Sequence, residues 1–195
     1  MSLRCLLSSG VTAEFGQVGS EGLVGFSAIM DKNPTVSTAV ALTPGRAYRL
    51  EAGVVRKALD RSPRFRRTLL TFMMGHMQES AQLIVCSTHH SVAQQVSRSL
   101  LLASDRLSSP TINLTHEQLA LGLGCRREAV SLAAAQLKSN GVIQYNYGKV
   151  AIIDRVVLEH SSCECYKAIR RGFAPFLAAT ASEERDQKMA GIQGV

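Results

Sequence analysis

The chain lacks the common catalytic signatures. It has no Gly-x-Ser-x-Gly elbow, no glycine-rich phosphate loop, no His-Glu-x-x-His pair and no tryptophan. No pair of carboxylates stands out for acid–base work, so an enzyme is not expected. No apolar run reaches the roughly 20 residues that a membrane span needs. Arg4 is not followed by the apolar run of a signal peptide. The five cysteines are odd in number and irregularly spaced, which argues against a disulfide framework and for a reducing, cytoplasmic setting. Internal repeats and low-complexity tracts are also missing.

The 195 residues suffice for one or two domains with a real core. A net charge of +7 and a pI near 9.5 favour a polyanionic partner. The densest basic cluster, Arg61, Arg64, Arg66 and Arg67, reads as a solvated helix face.

The most specific stretch runs from Leu114 to Asp154. Thr115 and Gln118 have the spacing of a capping box that opens a short helix bearing Leu119 and Leu123. Gly122 and Gly124 end it in a tight turn. A second helix is predicted from about Arg126 to Asn140, with Val130, Ala133 and Leu137 on its buried stripe. Arg127, Glu128, Ser131, Leu132, Ala135 and Lys138 lie opposite, and Gly141 marks the stop. Two short strands follow, Val142–Tyr145 and Lys149–Asp154, joined by a turn at Asn146-Tyr147-Gly148. This pattern predicts a helix-turn-helix with a hairpin wing, which sets its second helix in the major groove of double-stranded DNA. The alternative is a plain helical hairpin packed in another domain.

Residues 1–61 are expected to be β-rich. Val36, Thr38, Val40 and Leu42 alternate with small or polar residues, and Tyr48 and Leu50 continue the run after Pro44-Gly45. Four glycines fall between Gly16 and Gly25. Gly19, Ser20, Glu21 and Gly22 form either a candidate ligand loop or simple chain turns. Ser62-Pro63 then starts a long helix reaching about Val85. One stripe on it is Phe65, Leu69, Phe72, His76 and Leu83. The other is Leu70, Met74, Met77, Ala81 and Val85. One stripe is expected to pack on the β domain and the other on a second copy of the chain, giving a homodimer. Residues 62–103 hold this helix and a following amphipathic one, from His90 to Leu102. Residues 108–177 form the DNA-binding unit, and 178–195 a flexible tail.

In this order the parts resemble the Crp/Fnr family of transcription regulators. The strongest motifs are Leu-Thr-x-Glu-x-Leu-Ala, Gly-Cys-Arg-Arg-Glu-x-Val and the Gly148-Lys149 wing. The resemblance implies an α+β fold: a partial, shortened β-roll sensor of the cyclic-nucleotide-binding type, a dimerisation helix and a C-terminal winged helix-turn-helix. It implies base reading by Arg127 and Glu128, on a guanine edge and a cytosine amino group. Where an arginine often joins them, this chain has Ser131-Leu132, so Ser131 is expected among the base contacts and the operator differs. Thr115, Arg126, Lys138 and Lys149 are expected on phosphates. RNA polymerase is a further expected partner.

The stretch Val36-Ser37-Thr38-Ala39 carries no cation for a cyclic phosphate, so dependence on cyclic AMP is not expected. Cys5 alone in the N-terminal region excludes an iron–sulfur cluster. Cys163-Glu-Cys165, Cys86, His89 and His90 are read as buried thiols and nearby histidines rather than a metal site, because the groups are far apart in sequence. No cofactor or metal is therefore expected, and the effector is left unspecified. Two other readings stay open: a thiol- or metal-responsive switch on Cys163, Cys165 and His89 or His90, and a dimerisation partner that no longer binds DNA.

Overall fold

The computed structural model describes residues 1–10, 12–30 and 37–176. Its N-terminal part is a three-stranded antiparallel sheet in the order β2-β1-β3, from β1 (Ser2–Leu6), β2 (Thr12–Gln17) and β3 (Ser37–Val40). β1 lies in the middle, with Ser2 opposite both Gln17 and Val40. A short helix α1 (Phe26–Met30) packs on α2 (Ala52–Arg61), where Ile29, Val55 and Leu59 share a small core with Leu69 of the following helix.

The expected strand through Tyr48 and Leu50 does not form. Both side chains are exposed, at 101% and 69%, so the alternation there faces water and buries nothing. Val36 lies outside the described residues.

The chain breaks at Ser62-Pro63. Ser62 ends α2 and caps α3 (Pro63–His89), accepting a hydrogen bond from the Phe65 amide at 3.2 Å. Arg66 turns back to donate to the Leu59 carbonyl at 3.0 Å, satisfying the end of α2. The 27 residues of α3 extend about 40 Å. Its inner face buries Leu69, Phe72, Gly75, Glu79 and Cys86. Phe65, expected on that face, is exposed instead: it lies in the first turn of α3, ahead of Leu69, the first residue that the helix buries.

After a break at His90, Ser91 caps α4 (Val92–Leu107) with a reciprocal box to Gln94. α4 is the buried spine of the molecule. Val96, Leu100 and Leu101 are fully enclosed and join one continuous core running from Val18 and Phe72 to the wing residues Val150 and Ile152. The C-terminal part comprises β4 (Thr111–Asn113), α5 (His116–Leu123), α6 (Arg127–Ser139), β5 (Ile143–Asn146), β6 (Lys149–Ile152) and α7 (Arg155–Ser161). Its antiparallel sheet has the order β4-β6-β5.

Residues 165–176 are helical and return to α3, where Phe173 and Phe176 pack edge-on against Phe72. A polar knot ties these parts together. Arg155 donates to Asp105 at 2.6 Å and to the Tyr166 hydroxyl at 2.7 Å, and Tyr166 donates to Asp105 at 2.9 Å. Among the described residues, no helix is long and apolar enough to cross a membrane.

Candidate nucleic-acid interface

α5 opens with the predicted box: Thr115 accepts from the Gln118 amide at 3.1 Å, and Gln118 accepts from the Thr115 amide at 2.8 Å. Gly124 ends α5 at φ +65°, a conformation that costs a side-chain-bearing residue about 1 kcal/mol or more. Cys125 then bonds back to Ala120, so the chain reverses within four residues and α6 begins at Arg127. Val130, Ala133, Ala134 and Leu137 bury one face of α6 against α4 and α5.

The opposite face is open. Arg127, Glu128, Leu132, Ala135 and Lys138 are exposed, and so is Arg126 at the helix cap. Helical geometry sets Glu128, Leu132 and Ala135 in the middle of this face. It places Lys138 three turns beyond Arg127 on the same line, about 16 Å away. Leu132 is 74% exposed, a large apolar side chain in the centre of this otherwise polar face.

Ser131 is half-buried at the edge of this face. Its hydroxyl shares a 2.9 Å hydrogen bond with His116 Nδ1, so it links α5 to α6. The His116 ring lies over Tyr145, with centroids 4.3 Å apart. Burial and the charge of Arg127 lower the His116 pKa from 6.5, which keeps the ring neutral at neutral pH. Sequence reasoning missed His116, since a histidine at a helix start carries no pattern of its own.

The wing turns at Tyr147 (φ +43°) and Gly148 (φ +78°), the paired positive angles of a tight hairpin turn. The Leu114 amide donates to the Gly148 carbonyl at 2.8 Å, which lays the turn beside the start of α5. Thr115 and Lys149, both exposed, each follow directly on one partner of that hydrogen bond.

The glycine loop has a partner within the chain. Glu21 accepts from the Gly19 amide at 3.0 Å and pairs with Arg106 of α4 at 3.3 Å. The same arginine pairs with Glu79 of α3 at 2.7 Å, and its guanidinium lies 5.5 Å from the Phe173 ring centroid. Side-chain exposures are 8% for Arg106, 1% for Glu21 and 2% for Glu79. A Cβ on Gly19 would meet Arg106, and one on Gly22 would overlap the Phe72 ring. These glycines permit close approach of the loop to α3 and α4, while Ser20 is exposed. β2 also rests on α5, so the N-terminal sheet touches the helix-turn-helix directly.

The thiols that are distant in sequence meet in space. Cys86, His90, Cys163 and Cys165 offer ligand atoms that all lie within 4.8 Å of one another. His89 is exposed and outside this group. The hydrogen bond from Cys86 draws the Cys163 thiol down to about 5, and the same bond pushes Cys86 up. These two cysteines sit 77 positions apart, a separation that periodicity cannot report.

Comparison with known proteins places this geometry. Residues 94–161 match the Crp-like helix-turn-helix domain. No curated protein sequence matches the chain. Among solved structures, a CRP-family transcriptional regulator from Thermus thermophilus is similar, at 20% identity and a TM-score of 0.68, over 83% of this chain and 82% of that one. FixK2 from Bradyrhizobium japonicum is similar at 16% identity and a TM-score of 0.61, over 83% of each chain. The c-di-GMP-responsive regulator CLP from Xanthomonas campestris is similar at 14% identity and a TM-score of 0.58, over 77% of this chain and 79% of that one. At these identities the structures establish the fold, and the domain match establishes the helix-turn-helix. Residues 94–161 form a Crp-like helix-turn-helix domain, and the chain as a whole shares the fold of solved structures of CRP-family transcriptional regulators.

Proposed function

We propose that the protein acts as a homodimer on an inverted-repeat DNA site, without cyclic AMP. The observation that carries the dimer is the outer face of α3. Leu70, Met74, Met77, Ala81 and Ile84 are exposed and follow one another at alternating steps of four and three residues. That is the spacing of a coiled-coil seam, on which two copies bury surface that one copy leaves in water. A dimer on this seam carries two α6 helices for two half-sites about one helical turn apart.

In each major groove Arg127 reads a guanine edge and Glu128 a cytosine amino group, with Ser131 beside them. Leu132 and Ala135 suit a thymine methyl, an apolar contact in place of a further arginine. Arg126, Lys138, Thr115 and Lys149 rest on phosphates and fix the register without reading sequence. Independence from cyclic AMP is supported by the Glu21–Arg106 pair, which engages the loop glutamate with the protein's own cation. RNA polymerase is a further partner on this reading.

Sedimentation of the free protein and of its complex with a duplex carrying an inverted repeat tests the arrangement. Two chains per duplex, and a dimer before DNA is added, are expected. A monomer binding one chain per duplex would contradict the dimer while leaving the helix-turn-helix reading intact.

A further inference from the structure

Three buried thiols and one imidazole converge where the dimer-facing helix α3 gives way to α4. Cys86 lies in the last turn of α3 and His90 caps it, while Cys163 and Cys165 begin the C-terminal helical stretch. Cys86, Cys163 and Cys165 are 0%, 3% and 0% exposed. We infer that Cys86, His90, Cys163 and Cys165 form a four-coordinate site for a zinc ion, which clamps the α3–α4 junction to the C-terminal helix.

The distances fit the ion. Zn–S bonds of about 2.3 Å and Zn–N bonds of about 2.0–2.1 Å, arranged tetrahedrally, put sulfur atoms about 3.8 Å apart and sulfur about 3.6 Å from nitrogen. Here Cys86 Sγ and Cys163 Sγ are 3.5 Å apart, and Cys165 Sγ is 3.5 Å from His90 Nδ1. The remaining pairs lie within 4.8 Å, so closure onto an ion requires side-chain shifts on the order of 1 Å rather than any change of fold.

The surroundings also fit. With Nδ1 facing the sulfurs, His90 turns Nε2 to the Glu164 carboxylate at 3.2 Å, the carboxylate–histidine arrangement that orients an imidazole ligand. Gln82 donates an N–H to Cys165 Sγ at 3.1 Å, a bond that stabilises a thiolate. Arg98 is 3% exposed, has no partner for Nε or Nη1, and acts electrostatically on Cys86. Three thiolates around one Zn2+ carry a net charge of −1, which offsets that buried cation. Loading replaces the thiol protons, releasing up to three into the buffer, with no change of oxidation state. All four positions are filled by protein, so the site is structural rather than catalytic.

The consequence for DNA binding rests on the function proposed above. A metal at this junction fixes how α4, and through it the reading helix, leaves the dimer seam. The binding test contains no DNA, so the two readings fail separately.

The reduced full-length protein is titrated with Co2+ and then with Zn2+. One equivalent of Co2+ per chain is expected, with the intense visible bands of tetrahedral thiolate coordination and a sulfur-to-cobalt charge-transfer band, all displaced by Zn2+. Cys5→Ser and Cys125→Ser should leave the spectrum unchanged. Glu164→Gln should weaken binding about 10–100-fold, and Cys163→Ser by more. His90→Gln keeps the three sulfurs, so it should shift the visible bands, and it serves where Cys163→Ser does not fold. Absence of saturable binding to the reduced protein, or an unchanged spectrum in both Cys163→Ser and His90→Gln, would overturn the inference. So would a reduced protein that binds nothing and, on oxidation, closes a Cys86–Cys163 disulfide.

Discussion

Replacing Arg106 with methionine removes the cation that Glu21 and Glu79 share and leaves both carboxylates enclosed. Breaking a buried pair by deleting one member costs about 3–5 kcal/mol, mostly because the surviving charge is stranded. Domains of this kind have about 5–15 kcal/mol in total, so the variant should fold but unfold at markedly lower urea. Converting Glu79 to glutamine in the same chain removes one stranded charge. The R106M/E79Q double variant should therefore be more stable than R106M alone.

The pH dependence gives a second check. Burial pushes the Glu79 carboxyl up, but the Arg106 charge and hydrogen bond, with His76 Nδ1 at 3.4 Å, outweigh it and hold the pKa below 4.5. A depressed carboxylate pKa contributes stability that is complete above 4.5 and fades as pH falls through the folded value. In R106M burial dominates, the pKa rises above its ordinary value, and that variant instead gains stability as pH falls. The gap between wild type and R106M should be widest near neutral pH and narrow towards pH 4.5. Urea unfolding followed by far-ultraviolet circular dichroism, at fixed chain concentration because of the proposed dimer, reads both effects. Single-variant costs that simply add, to within about 0.5 kcal/mol, together with a gap that ignores pH, would refute the reasoning.

Other outcomes follow from the same geometry. Met77→Glu, at a site 67% exposed on the α3 seam, should give a folded monomer by sedimentation with an unchanged far-ultraviolet spectrum. Lys149→Ala should weaken binding to all DNA sequences alike and lower the salt slope by about one, measured by fluorescence anisotropy across a salt series. Gly22→Ala forces the buried Phe72 ring to move and should cost about 1–3 kcal/mol in urea unfolding.

The C-terminal unit was legible because its signals are local. The Thr115–Gln118 box, the turn at Gly124, the stripe Val130, Ala133 and Leu137, and the Tyr147-Gly148 hairpin each act within a few residues, and each forms where the spacing placed it. The N-terminal half was less so. Its strands are four to six residues long and owe their place to pairing across the sheet rather than to a marked alternation. The alternation that did stand out, at Tyr48 and Leu50, faces solvent. α2 was missed, although Ser62-Pro63 marked its end. Glu21 looked like a ligand group because its partner, Arg106, lies 85 residues away. The meeting of Cys86 with Cys163 likewise depends on the C-terminal helix returning to α3, which only the assembled core determines.

The most direct test of the account selects bound sequences from a random duplex pool, at one stated salt concentration, with wild type and Arg127→Ala in parallel. The account predicts an inverted repeat with half-sites about one helical turn apart for the wild type. Arg127→Ala should lose about 1–3 kcal/mol of preference at one base position per half-site and keep the others. The same selected sequence for both proteins would contradict the reading surface assigned to α6.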